Sequence, residues 1–144
     1  KTAYEIKECD WSSDVCSSDL IIVFTDHRAS AEALAKMLES PYIDGQTSTQ
    51  TRWNYANGFQ NKEYQCLVAT VGSFSTGVNL TASNCMVFND FPWVPGDLDQ
   101  AIYRINRLGQ TKQCHIIRIL GSPQDKAILK AIEDKRTVIN KVIK

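Results

Sequence analysis

The chain has 144 residues, 43 % of them hydrophobic and 22 % charged, with 16 basic and 16 acidic side chains and a formal net charge of zero. That length suits one domain with one sizeable core, and the charge balance demands no polyanionic partner. No apolar stretch approaches the roughly 20 residues needed to cross a bilayer.

The first twenty residues, "KTAYEIKECDWSSDVCSSDL", show no hydrophobic period and no turn logic. They resemble the conceptual translation of a sequencing adapter, with "KTAYEI" and "CDWSSDVCSSDL" as its constant parts. Residues 1–20 are therefore expected to be a non-native artefact lying outside the fold, and residues 21–144 to form the domain. Without them the chain carries 14 basic and 11 acidic side chains, a mild excess of +3 that is compatible with a polyanion. Three cysteines remain, Cys66, Cys85 and Cys114, each in or beside an apolar run and none in a CxxC pair. They read as reduced core thiols, not as a disulfide or zinc set.

Strand and helix signals then alternate. "LIIVFT" (20–25) is short, apolar and β-branched, which predicts a buried strand. "ASAEALAKMLES" (29–40) repeats its apolar residues at helical spacing. "PYIDG" (41–45) predicts a short strand ending at a glycine turn, and "STQTRWNYANGFQ" (48–60) a helix capped by Ser48 or Thr49. "YQCLVAT" (64–70) and "NCMVFND" (84–90) are further buried strands, followed by a Pro/Gly loop over 91–97. "LDQAIYRINRLG" (98–109) predicts a helix closed by Gly109. "QCHIIRIL" (113–120) is a long strand, and the remainder a helix with Pro123 in its first turn.

Continuous apolar strands alternating with amphipathic helices predict an α/β, three-layer architecture with a mostly parallel sheet covered on both faces. Ligands in such sheets sit at the carboxyl ends of strands, which directs attention to the loops after Thr25, Thr70 and Asp90. There is no GxxxxGK[ST] loop and no GxGxxG after a strand. If the domain handles a nucleotide, another domain supplies the main phosphate cradle.

Gln100, Arg104 and Arg107 fall at i, i+4 and i+7 of the 98–109 segment, hence on one helical face. Leu98, Ile102 and Ile105 occupy other sides and can anchor the helix. Two guanidiniums that stay charged at any working pH offer planar donor forks suited to a phosphoryl group gaining charge. A solvated face with surface ion pairs would have the same spacing. The pair is expected to face the strand-end crevice. Asp90 is expected to order its loop by accepting from backbone donors.

The stretch "GVNLTASNCMVFNDFPWVPGDLDQAIYRINRLGQ" (77–110) resembles helicase-like ATPases of the Swi/Snf type within helicase superfamily two. The likeness rests on G-x-N-L at 77–80, D-x-x-W-x-P at 90–95 and Q-A-x-x-R-x-x-R-x-G-Q at 100–110. It departs from the family's pattern at Phe74 and Ser75, where a Gly-Gly pair is usual, and at Asn106 and Val94. The resemblance implies the second of two RecA-like lobes. Arg107 would be an arginine finger, Arg104 would assist it, and Gln100, Gly77 and Asn79 would belong to the nucleotide site. Thr25, Thr47 and Thr70 would contact a nucleic-acid backbone without reading sequence. ATP with magnesium would be held mainly by an N-terminal lobe, DNA would be the other partner, and no metal site is implied here. The protein would be monomeric and cytoplasmic or nuclear, with no membrane contact. A non-catalytic nucleic-acid-binding or regulatory fragment of a degenerate helicase is the alternative.

Overall fold

The computed structural model describes residues 4–8, 20–74, 78–90, 94–120 and 123–143. Six parallel strands form one sheet: β1 (Tyr4–Glu8), β2 (Ile21–Thr25), β3 (Tyr42–Ile43), β4 (Cys66–Thr70), β5 (Cys85–Phe88) and β6 (Cys114–Arg118), in the order β1-β6-β5-β2-β4-β3. The helices are α1 (Arg28–Leu38), α2 (Thr49–Gln60), α3 (Pro95–Ile102) and α4 (Pro123–Ile143), with a 3₁₀ turn at Val71–Phe74.

Parallel strands need crossovers, and α1, α2 and α3 lie in those from β2 to β3, from β3 to β4 and from β5 to β6. Along β2 and β4 side chains alternate between two cores. Ile22, Phe24, Leu67 and Ala69 join the larger one, with Ala56 and Phe59 of α2, Leu98, Ala101 and Ile102 of α3, and Ile132 of α4. Val23 and Val68 face the other way and pack on Ala31 and Ala35 of α1. Both faces are therefore covered, as continuous apolar strands require. Phe24 and Phe88 stack across β2 and β5 with ring centroids 5.6 Å apart.

The local signals read from the sequence operate at the helix ends. Ser48 caps α2, its hydroxyl accepting from the Thr51 N–H at 3.2 Å. α1 stops at Glu39, which takes the left-handed conformation (φ 50°). Cys85 and Cys114 are buried and Cys66 half-buried, all three free, and burial raises the pKa of Cys66 and Cys114.

Two boundaries differ from expectation. α3 begins at Pro95, inside the stretch expected to be a loop, because proline's fixed φ and missing N–H suit the first helical turn. It ends at Ile102, not at Gly109, and residues 103–109 run as successive tight turns. The segment ahead of β2 also has structure to report. Tyr4–Glu8 pairs in parallel with β6, Tyr4 opposite Cys114 and Glu8 opposite Arg118, while Leu20 is buried and its carbonyl accepts from the Ser83 hydroxyl.

Candidate functional site

After α3 the chain stays nearly helical without being a regular helix. The Tyr103 and Asn106 N–H groups still reach back four residues, to the Asp99 and Ile102 carbonyls. Those of Arg104 and Ile105 reach back three, to Ala101 and Ile102. The mixture tightens the winding as in a 3₁₀ segment. Gly109 then reverses the chain at φ +100°, a conformation costly for a residue with a Cβ. Ile105, fully buried, roots this arginine turn in the core, with Leu98 and Ile102 buried beside it on α3.

The turn gathers Gln100, Tyr103, Arg104, Asn106 and Arg107 around an open depression of about 400 Å³. The convergence of Gln100, Arg104 and Arg107 expected from their spacing is thus realised although the regular helix has ended. Arg107 is exposed and makes no ion pair among the described residues. Arg104 is partly buried, and burial, followed by the neighbouring Arg107 charge, lowers its pKa from the usual arginine value. Both effects disfavour the cation, and an anion in the depression would relieve the second.

A helix that leaves the carboxyl edge of a parallel sheet must deliver the chain to the amino edge before the next strand begins. Accordingly Gln110, at the end of the arginine turn, bonds to Thr81 and Ser83, just ahead of β5.

The carboxyl edge carries a separate cluster. The Asp90 carboxylate accepts from the Thr25 hydroxyl and the Asp26 N–H, the loop-ordering role expected of it. Burial, and then Asp90 and Asp97, raise the Asp26 pKa against the opposing effect of His27. Thr25 is fully buried with its hydroxyl committed to Asp90, and Thr70 is 8 % exposed. Thr25 therefore presents no side-chain surface to a ligand, and Thr70 presents little surface of any kind. Thr47 is half-buried in the Asp44–Thr47 turn. Its N–H and hydroxyl both donate to Asp44 Oδ1, at 2.9 and 3.0 Å. Arg52 closes the same region, donating to the carbonyls of Asp44, Gly45 and Ser73 at 3.0–3.2 Å.

Asn79 is exposed, and its side-chain oxygen accepts from the Thr81 N–H at 3.2 Å. The next residue ties this segment to the arginines, the Leu80 N–H donating to the Arg104 carbonyl at 3.3 Å. Gly77 and Trp93 lie outside the described residues. Sequence reasoning gave no role to Gln110, Asp44 or Arg52. The Asp-Gly pair at 44–45 signalled a turn, but the partners that make these residues matter are distant in sequence.

Residues 9–109 match the helicase conserved C-terminal domain family. The chain is 33 % identical over 130 residues to the Drosophila melanogaster SWI/SNF-related matrix-associated actin-dependent regulator of chromatin subfamily A-like protein 1, an alignment covering 84 % of this chain and 17 % of that protein. It is 29 % identical over 130 residues to the putative ATP-dependent helicase/translocase YwqA of Bacillus subtilis, covering 85 % of this chain and 14 % of that one. The crystal structure of the C-terminal part of the Fun30 ATPase domain superposes with a TM-score of 0.69 at 21 % identity, covering 79 % of this chain and 39 % of that one. The chain thus spans about a sixth of the length of these two curated relatives. With an all-parallel sheet covered on both faces and the arginine motif at its place after β5, the chain belongs to the helicase conserved C-terminal domain family, as a RecA-like lobe of the Swi/Snf type.

Proposed function

We infer that the chain is the second motor lobe of an ATP-dependent DNA helicase or translocase, and that its arginine turn serves ATP bound by an N-terminal lobe. The observation that carries this reading is the depression lined by Gln100, Arg104 and Arg107, with two fixed cations whose exposed member has no carboxylate partner among the described residues. Its donors suit the γ-phosphate. Its lining of guanidiniums, amides and a phenol offers no carboxylate to magnesium, which would stay with the other lobe.

In this reading Arg107 donates to the γ-phosphate oxygens as charge builds on them, and Arg104, set deeper, holds the same group from the protein side. An arginine supplied this way is worth ~10³–10⁵ in rate, or about 4–7 kcal/mol of barrier. It acts only when the lobes close, so chemistry is coupled to their motion. Gln100 orients the leaving phosphates, and Gly77 and Asn79 belong to the segment linking nucleotide to DNA. The DNA backbone would be met at the carboxyl edge, by main-chain N–H groups of the loops after Thr25 and Thr70 and by the turn at Thr47. The Thr25 and Thr47 hydroxyls hold their loops in shape.

The test is ATP turnover by this chain alone and fused to the phosphate-loop lobe of a Swi/Snf-type relative. The lone chain is expected to be inactive and the fusion DNA-stimulated. In the fusion Arg107→Ala removes most turnover while nucleotide affinity stays within several-fold. Equal loss of affinity and rate would overturn the finger role.

A further inference from the structure

We propose that Gln110 is a positioning residue for the arginine pair, its carboxamide welding the arginine turn to the chain that enters β5. This rests on the reading of Arg104 and Arg107 given above. The two N–H donors of Gln110 Nε2 lie within hydrogen-bond distance of three carbonyls, of Thr81 at 3.2 Å, Ser83 at 2.8 Å and Ile105 at 3.1 Å, so that one donor is shared, and its Oε1 accepts from the Lys112 N–H at 3.2 Å. One amide therefore joins three places: the middle of the arginine turn, the connection over residues 81–83, and its own strand entry. The Leu80 N–H on the Arg104 carbonyl is a second joint between the same two segments.

A short turn after a helix end is ordinarily among the least stable parts of a fold, and the bonds it makes within itself do not tie it to the sheet. Arg104 and Arg107 project from such a turn, and two like charges held together would drive it open. Ile105 holds the turn from beneath by burial, but burial is non-directional and does not set the azimuth of the side chains on either side of it. The Gln110 amide does, because its directional bonds to residues 81–83 and to Ile105 constrain the path of residues 105–110.

The connection is gripped from the other side as well. Gln60, at the last position of α2, donates to the Thr81 hydroxyl at 3.2 Å and accepts from the Ala82 N–H at 3.0 Å. Two glutamine amides thus clamp residues 81–83 between the end of α2 and the arginine turn. The other end of α2 begins at Ser48, next to the Asp44–Thr47 turn on the carboxyl edge. The clamp gives the arginine pair a rigid link to the far side of the lobe.

Gln110→Met keeps length and volume and removes every polar contact, and Gln110→Asn keeps the amide but draws it back by one methylene. The measurements, on the 144-residue chain, are hydrogen exchange of the Leu80 and Asn106 N–H groups against those of β2, and the affinity for inorganic pyrophosphate followed through the arginine Nε–Hε resonances. Losing the weld should speed Leu80 and Asn106 exchange at least about tenfold while β2 exchange is unchanged, and weaken pyrophosphate about five- to tenfold. Gln110→Asn should fall between wild type and Gln110→Met in both. Gln60→Met, which leaves the arginine turn's own bonds intact, should shift Leu80 in the same direction by less. If Gln110→Met speeds all amides equally or fails to fold, Gln110→Asn decides: uniform destabilisation, or local exchange and affinity like wild type, overturns the positioning role. If the wild-type chain binds no pyrophosphate, the finger reading fails. Local exchange in the variants then still decides whether the weld exists.

Discussion

Arg104 and Arg107 are three residues apart on a single tight turn, and the charge of Arg107 helps lower the pKa of Arg104. Two like charges held this close raise the energy of the unliganded state. An anion that binds both relieves that cost and stabilises the fold by linkage. At a hundredfold excess over its Kd, pyrophosphate should add about 2.7 kcal/mol. The increment should largely vanish in Arg107→Ala, whose own stability should stay within about 0.5 kcal/mol of wild type because the side chain is exposed. Thermal melts with and without pyrophosphate read both quantities. An equal increment in the variant would place the anion elsewhere.

Asp44 is 4 % exposed and sets the acid limit of its turn. Burial alone would raise its pKa, but hydrogen bonds from the Thr47 hydroxyl and the Gln46 N–H, together with Arg28 at 2.8 Å, hold it below the ordinary 3.8. The unfolded chain therefore binds the proton first as pH falls. The stability due to Asp44 is complete above the unfolded value and is lost as pH drops through the folded one. Asp44→Ala should cost about 2 kcal/mol at pH 7, and the gap to wild type should narrow below about pH 4. Arg28→Ala should cost under about 1 kcal/mol, because the Arg28 side chain is 54 % exposed. Urea melts across pH 3–7 check both, and a gap that widens in acid would contradict the assignment.

Gly58 sits inside α2, where alanine would ordinarily gain about 0.5–1 kcal/mol of helix stability. Here a Cβ would meet Tyr64 Cε2 at 2.6 Å and Glu63 Oε2 at 3.0 Å. The Tyr64 ring is itself held edge-on against Tyr55, with centroids 6.3 Å apart. Gly58→Ala should therefore destabilise, by about 1–3 kcal/mol as overpacking does. Adding Tyr64→Ala should recover part of the loss. A stabilised Gly58→Ala would show that the ring moves aside freely.

β1 is an edge strand that meets only β6. We expect the residues ahead of the buried Leu20 to be dispensable to the fold. A chain beginning at Leu20 should keep its parallel sheet and lose less than about 4 °C in Tm, roughly the shift that 1 kcal/mol produces at this size. Circular dichroism melts of the two chains settle it, and failure of the shorter one to fold would make β1 integral.

The alternation of apolar strands with amphipathic helices determined the parallel, two-faced sheet, because a fully buried strand and a half-buried helix leave different periods in the chain. Spacing also determined that Gln100, Arg104 and Arg107 would converge, since four- and three-residue steps hold through helix and tight turn alike. Only the tertiary structure decided that the turn carrying the pair would be tied to the chain entering β5. That follows from the path a crossover must take to start the next parallel strand. It also decided that Thr25 would be spent on Asp90, 65 residues away, and that Gln110 would reach back 27 and 29 residues to Ser83 and Thr81. A hydroxyl or an amide carries no periodic signal of its partner: its bond exists only once two distant segments have been brought together, and that depends on how the whole sheet is laid down.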